Sequence, residues 1–238
     1  AGQPASNAQP RRLKAQAGSR QAPMAAVVLR ELSETRLGEA ASLAADAFAE
    51  SPPFIYALGE GCDASVRRRC LTSLFQSTFK IRMPHGCCRC AVDASAEGAL
   101  VCYLMLVAPG TPRPGVCDIF ASGYIRSLAG LGPRACARLA GFSAWVEAIE
   151  AELLEGRGAF RLEGMAVLKG RQGQGIGTHV LRAALVEADE ARCEVLLATQ
   201  DEKNVSFYCR LGFAVEREEL FVAGGVRTWF MLRRPSSA

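Results

Sequence analysis

The apolar positions of this chain repeat with two periods, and the switches between them mark out its elements. Val27, Val28 and Leu29 form an apolar run that predicts a first strand. From Ser33, which is placed to cap a helix, Leu37, Ala40, Ala41, Ala44, Ala45 and Phe48 recur at helical spacing. Pro52 and Pro53 predict its end, with a loop over Ser51–Glu60 that carries Phe54 and Tyr56. Asp63 is a cap for a second helix through Leu71, Leu74, Phe75 and Phe79, stopping near Pro84. Residues 87–92 and 99–107 read as strands joined by the polar turn Asp93–Gly98, which makes a hairpin. After the break Thr111–Gly115, helical patterns run near 118–129 and 133–154. A strand over 159–168, a helix over 175–191, a strand over 193–199 and a short helix over 203–211 follow. Strands near 213–219 and 226–233 finish the chain, and no internal repeat interrupts the order.

This order predicts an α/β (α+β) domain: a mixed sheet with helices on its faces. The domain is expected over 24–238, with a helical insertion at about 115–156. Residues 1–23 are rich in Ala, Gln, Ser, Arg, Pro and Gly, and bury too little apolar surface to offset the entropy of ordering. They are expected to be a disordered basic tail. That tail reads equally as an organellar targeting segment or as a leader preceding Met24.

Charge sharpens the division. The chain of 238 residues carries 28 Lys plus Arg, 24 Asp plus Glu, and a net charge of +4. Arg11, Arg12, Lys14 and Arg20 fall in the tail, which has no acid, so taking those four away leaves 24 bases against 24 acids in the body. A neutral body argues against a nucleic-acid partner, whose domain would carry the excess charge on its folded part. No apolar stretch reaches the length of a membrane span. The ten cysteines have neither disulfide-scaffold nor zinc spacing; Cys87, Cys88 and Cys90 are too close together to converge on one metal, and no metal site is expected. They read as small apolar residues of a reducing, intracellular compartment: the cytoplasm, or a plastid or mitochondrion if the tail is an address.

The chemistry concentrates where the apolar strand Met165–Leu168 runs into Lys169-Gly170-Arg171-Gln172-Gly173-Gln174-Gly175-Ile176-Gly177-Thr178 and then into an amphipathic helix. Successive backbone N–H groups in such a turn form a concave anion site, and the helix end adds about half a positive charge. A dinucleotide fingerprint fails because Thr178 stands where the last glycine belongs, and there is no Gly-Lys-Ser/Thr for a P-loop. What remains is Gln172-x-x-Gly175-x-Gly177. This turn resembles the coenzyme A pyrophosphate loop of the GCN5-related N-acetyltransferases (GNAT). Asn204-Val205-Ser206-Phe207-Tyr208-Cys209-Arg210-Leu211-Gly212-Phe213 is similar to a second signature of that superfamily. The ending Val226–Met231 and the spacing around Asn204 resemble the puromycin N-acetyltransferase-like branch; Ala198, where that branch carries Glu, departs from it.

The resemblance implies a single domain with a mostly antiparallel sheet of about seven strands, splayed at the cofactor strand. It implies acetyl-CoA as acyl donor, and transfer of acetyl directly to an amine. Met165, Ala166 and Val167 would pair their backbone with the pantetheine arm, and Gln172, Gly173, Gln174, Gly175, Ile176, Gly177 and Thr178 would hold the pyrophosphate. Asn204 would reach the pantetheine. Tyr208 would protonate the leaving thiolate, a role suited to a phenol whose ordinary pKa is about 10.

Glu163 stands apart. An acid inside an apolar strand is costly unless it is paired or lies at a cleft. Strand alternation places it on one face with Arg161 and Met165. The run Leu162-Glu163-Gly164 resembles the equivalent strand of aminoglycoside 6′-N-acetyltransferases, where the acid faces the acceptor amine. Glu163 is therefore a base, direct or through water, or an anchor for a cationic acceptor, unless it is spent on a salt bridge to Arg161 or another strand. Phe54, Tyr56, Phe120, Tyr124 and Trp145 are candidates for an apolar acceptor lid. The expected partner is a small primary amine, with the protein a monomer or homodimer. A protein or peptide acetyltransferase and a non-catalytic acyl-CoA-binding module are the alternatives.

Overall fold

A computed structural model describes residues 27–94 and 98–236. The basic tail over 1–23 and Met24 lie outside the described residues, as does the tip of the predicted hairpin turn. The seven strands are β1 (Val27–Glu31), β2 (Cys88–Asp93), β3 (Ala99–Val107), β4 (Ala159–Val167), β5 (Glu194–Thr199), β6 (Phe213–Phe221) and β7 (Val226–Arg233). They form one sheet in the order β1–β2–β3–β4–β5–β7–β6. Every neighbouring pair is antiparallel except β4 with β5, so the sheet is mixed, as the element order predicts, and mostly antiparallel, as the resemblance implies.

Helices cover both faces. On one, α7 (Ile176–Glu190) buries Ile176, Val180, Leu181, Ala184, Leu185 and Ala188 against Leu104, Leu162, Val195 and Met231, with Val205, Phe207 and Tyr208 of α8 (Glu202–Cys209) at its edge. Each fully buried Val, Leu or Ile side chain among them contributes about 1.5–3 kcal/mol. On the other, α1 (Leu37–Phe48) and α3 (Ala64–Arg82) pack on Cys88, Cys90, Tyr103 and Met105. The cysteine triplet of β2 is therefore core: Cys87, Cys88 and Cys90 are all buried. No helix among the described residues is long and apolar enough to cross a membrane.

Three local readings change. Asp63 caps α3 as predicted, accepting from the Ser65 and Val66 N–H groups at 2.8 and 3.2 Å. Ser33 does not cap: its hydroxyl meets Thr35 Oγ1 at 2.9 Å, and the chain enters α1 through a 3₁₀ turn over Glu34–Arg36. The predicted loop after Ser51 is a helix, α2 (Pro52–Leu58). Proline terminates a helix from its interior but opens one well at the first position, where its missing N–H has no partner to lose. The insertion holds α4 (Val116–Ala121), α5 (Tyr124–Leu131) and α6 (Pro133–Leu154). The single helix predicted near 118–129 is two, because Gly123 at φ 77° turns the chain between them.

The register of β4 matters most for the site. Met105 pairs with Gly164 and Leu106 with Leu162, so Glu163 is an extra residue bulged out of the β3–β4 ladder. A bulge resets alternation. Phe160 and Leu162 before it, and Met165 and Val167 after it, all turn to the α7 core. Glu163 points the other way, toward α3. The predicted shared face of Glu163 and Met165 is thus corrected by one inserted residue.

Candidate active site

β4 and β5 pair only over Ala159–Arg161 with Glu194–Leu196. Beyond that the two strands part, and no strand among the described residues pairs with the outer edge of β4 from Leu162 to Val167. An edge of alternating N–H and C=O groups facing a gap is a template for an extended, amide-bearing chain. Met165, Ala166 and Val167 lie on this edge.

The edge leads into the glycine turn. A 3₁₀ turn over Lys169–Arg171 follows β4, Gly173 and Gly175 take φ of 74° and 80°, and Gly175 is the N-cap of α7. Both angles favour glycine over L side chains. The first N–H groups of α7, from Ile176 through Thr178, have no partner inside the helix. Such N–H groups, together with the helix dipole, are suited to an anion. Arg171 fixes the turn from outside, pairing with Asp93 and donating from Nε to Gln174 at 3.0 Å. Gln172 turns its side chain back to the Val167 carbonyl at 3.1 Å, so its side chain braces the turn. A Cβ on Gly177 would sit 3.4 Å from Val167 Cγ2 and 3.6 Å from Phe207 Cζ, in ordinary contact. Gly177→Ala is therefore expected to bind acetyl-CoA within about twofold of wild type. Gly177→Leu over-packs the seam at about 1–3 kcal/mol and should weaken binding about tenfold, measured by calorimetry.

Tyr208 lies on α8, at the edge of the core that β4 and α7 share. Its ring packs against Phe207 and Phe213, with centroids at 5.1 and 5.6 Å. Burial, aided by the neighbouring Cys102, pushes its phenol up to about 12. It stays protonated at neutral pH. Asn204, one turn earlier, donates its amide to Thr199 Oγ1 at 3.3 Å, tying α8 to the end of β5. Cys209 is exposed, and so is His179.

Glu163 is paired with neither of the partners the sequence suggests. Arg82, in the last turn of α3, donates to it at 2.6 Å, and the Glu163 side chain keeps 26% exposure. Arg161 goes instead to Glu150 of α6 at 3.3 Å. Burial raises the Glu163 carboxyl above its ordinary value, against the opposing pull of Arg82. Glu150, more deeply buried, is pushed up to about 7 despite Arg161. Nothing in the local sequence marks Arg82, which lies 81 residues away and meets Glu163 only because α3 crosses this face of β4.

The five lid candidates separate. Trp145 on α6 stacks on Phe221 of β6 at 5.3 Å and Phe230 of β7 at 5.8 Å. Tyr56 on α2 meets the same Phe221 at 5.7 Å, and Arg138 of α6 lies over its ring at 5.3 Å. Phe142 and Phe221, which the sequence reading missed, complete this wall at 5.4 Å. Phe54 and Tyr124 pack instead into a small core among α1, α3 and α5, and Phe120 is 68% exposed on α4. The signal for Phe142 was available in its spacing with Trp145 on one helix face; Phe221 sits at a strand end that periodicity places poorly.

An open strand edge able to pair an amide-bearing arm, leading to a turn suited to pyrophosphate, fits the two recognisable parts of coenzyme A. A transferase that takes its acyl group from coenzyme A would use such a site. Residues 135–215 match the family described as acetyltransferase (GNAT) domain. Similar solved structures include a histone acetyltransferase HPA2 and related acetyltransferase from Corynebacterium glutamicum, at 15% identity and TM-score 0.59, covering 90% of this chain and 98% of that one. An agmatine N-acetyltransferase shows 14% identity, TM-score 0.57 and coverage of 88% and 99%. A putative arylalkylamine N-acetyltransferase of the yellow fever mosquito shows 15%, 0.57 and 87% of both chains. These structures share the fold. Residues 135–215 thus match an acetyltransferase (GNAT) domain, and the chain as a whole has the fold of these structures.

Proposed function

We propose that the protein transfers acetyl directly to a primary amine of a small molecule. Acetyl-CoA supplies the acetyl group as a thioester; the backbone of Met165–Val167 and the turn Gln172–Thr178 hold it, with Asn204 positioning the end of β5. Glu163 takes the proton the amine must lose, and Tyr208 returns one to the sulfur. The same fold serves the histone, agmatine and arylalkylamine enzymes of the neighbours, so the choice of acceptor rests on one observation in this chain. Tyr56 of α2 is packed against the β6–β7 turn so closely that a Cβ on Gly224 would lie 2.7 Å from its ring. An extended peptide needs an open groove between these two flanks, and here they are bridged. The resemblance of Val226–Met231 to the puromycin-like branch agrees with a small acceptor.

Thiol release from acetyl-CoA across a panel of small amines and peptides tests this. Small amines are expected to turn over well above any peptide. Acetylated peptide accumulating as fast would overturn the reading, and binding without turnover on any amine would favour a non-catalytic module. Gly224→Ala forces the flanks apart and should raise the acceptor KM about tenfold, the equivalent of mild over-packing, with acetyl-CoA affinity unchanged.

A further inference from the structure

Tyr103 lies mid-way along β3 and is 1% exposed. Its hydroxyl is buried and has no hydrogen-bond partner among the described residues. A buried donor left unpaired is a standing cost to a fold, and calls for an explanation in each case. The ring cannot readily swing to find one, because Phe79 packs edge-on against it at 5.2 Å. Tyr103 pairs across the ladder with Ala166, and its ring leans diagonally to Gly164. A Cβ at 164 would stand 3.0 Å from the hydroxyl oxygen, so only glycine leaves it this room. Gly164 belongs to the stretch of β4 that has already parted from β5, immediately after the bulge. Burial disfavours ionisation of Tyr103, and the nearby Cys102, Tyr208 and Cys88 groups add to it.

We propose that the Tyr103 hydroxyl is a hydrogen-bond donor kept for the carbonyl oxygen of the bound acetyl thioester. This rests on acetyl-CoA as donor and not on the identity of the acceptor. The acceptor nitrogen bonds to the carbonyl carbon as the carbon–sulfur bond breaks. The nitrogen's proton passes to Glu163 and the sulfur receives one from Tyr208. Negative charge builds meanwhile on the carbonyl oxygen, and a desolvated donor beside Gly164 stabilises that charge once the parted end of β4 yields to admit the oxygen. Tyr103 gives up no proton.

Tyr103→Phe removes one oxygen and separates this role from a packing role. The free variant should melt about 2–4 °C above wild type, since an unpaired polar group has gone. Its kcat should fall about 10²-fold, the effect of losing one such donor, with the Kd for coenzyme A unchanged. The infrared carbonyl band of [1-13C]acetyl-CoA bound without acceptor should lie below its solution position in wild type and return toward it in the variant. Gly164→Ala, which crowds the hydroxyl, should lose the band shift with Tyr103 present. A wild-type kcat in Tyr103→Phe, a lowered melting temperature, or a carbonyl band that does not move in wild type would each overturn the proposal. Because the spectroscopic reading uses no acceptor, it stands whether or not the acceptor is a small amine.

Discussion

Tyr208→Phe is expected to lower kcat by about 10²- to 10⁴-fold, the range for loss of a positioned general acid, with acetyl-CoA affinity within about twofold of wild type. The phenol is held protonated by burial, at about 12, so at neutral pH it is always available to the departing sulfur. Burial that raises the phenol also raises the basicity of a thiolate released into the same desolvated gap, so a proton or hydrogen bond from Tyr208 offsets the cost of leaving that charge there. The packing of the ring against Phe207 and Phe213 survives in phenylalanine, so stability should change little. Steady-state kinetics with melting curves separate the two effects. An unchanged kcat would reduce Tyr208 to an aromatic prop of α8.

Glu163→Gln is the second large effect, with kcat/KM down about 10²- to 10⁴-fold. The carboxylate accepts a proton only when ionised. Its carboxyl lies above the ordinary value of about 4.3, so kcat/KM should rise with pH along a limb centred above that value. In the Gln variant this limb disappears. Arg82 lowers the Glu163 pKa, so Arg82→Ala should move the limb to higher pH and cost activity most at the acid end. A pH profile with the same limb in Glu163→Gln would assign the titration elsewhere and leave Glu163 as the structural partner of Arg82.

Much of this was written into local sequence, and the reason differs from element to element. The glycine turn was legible because backbone angles at Gly173 and Gly175 and the helix start at Ile176 are set within a few residues. The short helix that carries Asn204 and Tyr208 was legible in the sequence, whereas the roles proposed for them come from the resemblance. The loop–helix confusion at Pro52 arose because proline carries opposite meanings at a helix start and in its interior. The lid candidates illustrate the limit: Phe54 and Trp145 are both aromatic, partly apolar positions, yet one fills a helical core and the other stacks on Phe221 and Phe230.

The amino-acid sequence by itself determined the class of fold, the position of the glycine turn and the short helix that carries Tyr208. All three depend on interactions between residues close in the chain. Which way Glu163 faces, which arginine holds it, and why Tyr103 carries an unpaired hydroxyl were decided only in three dimensions. A single bulged residue reverses the faces of β4, and Arg82 reaches Glu163 across 81 residues of chain. The gap beside Gly164 exists because β5 turns away from β4 after three pairs. Strand register and helix crossing are set by the packing of the whole sheet, and no window of local sequence contains them.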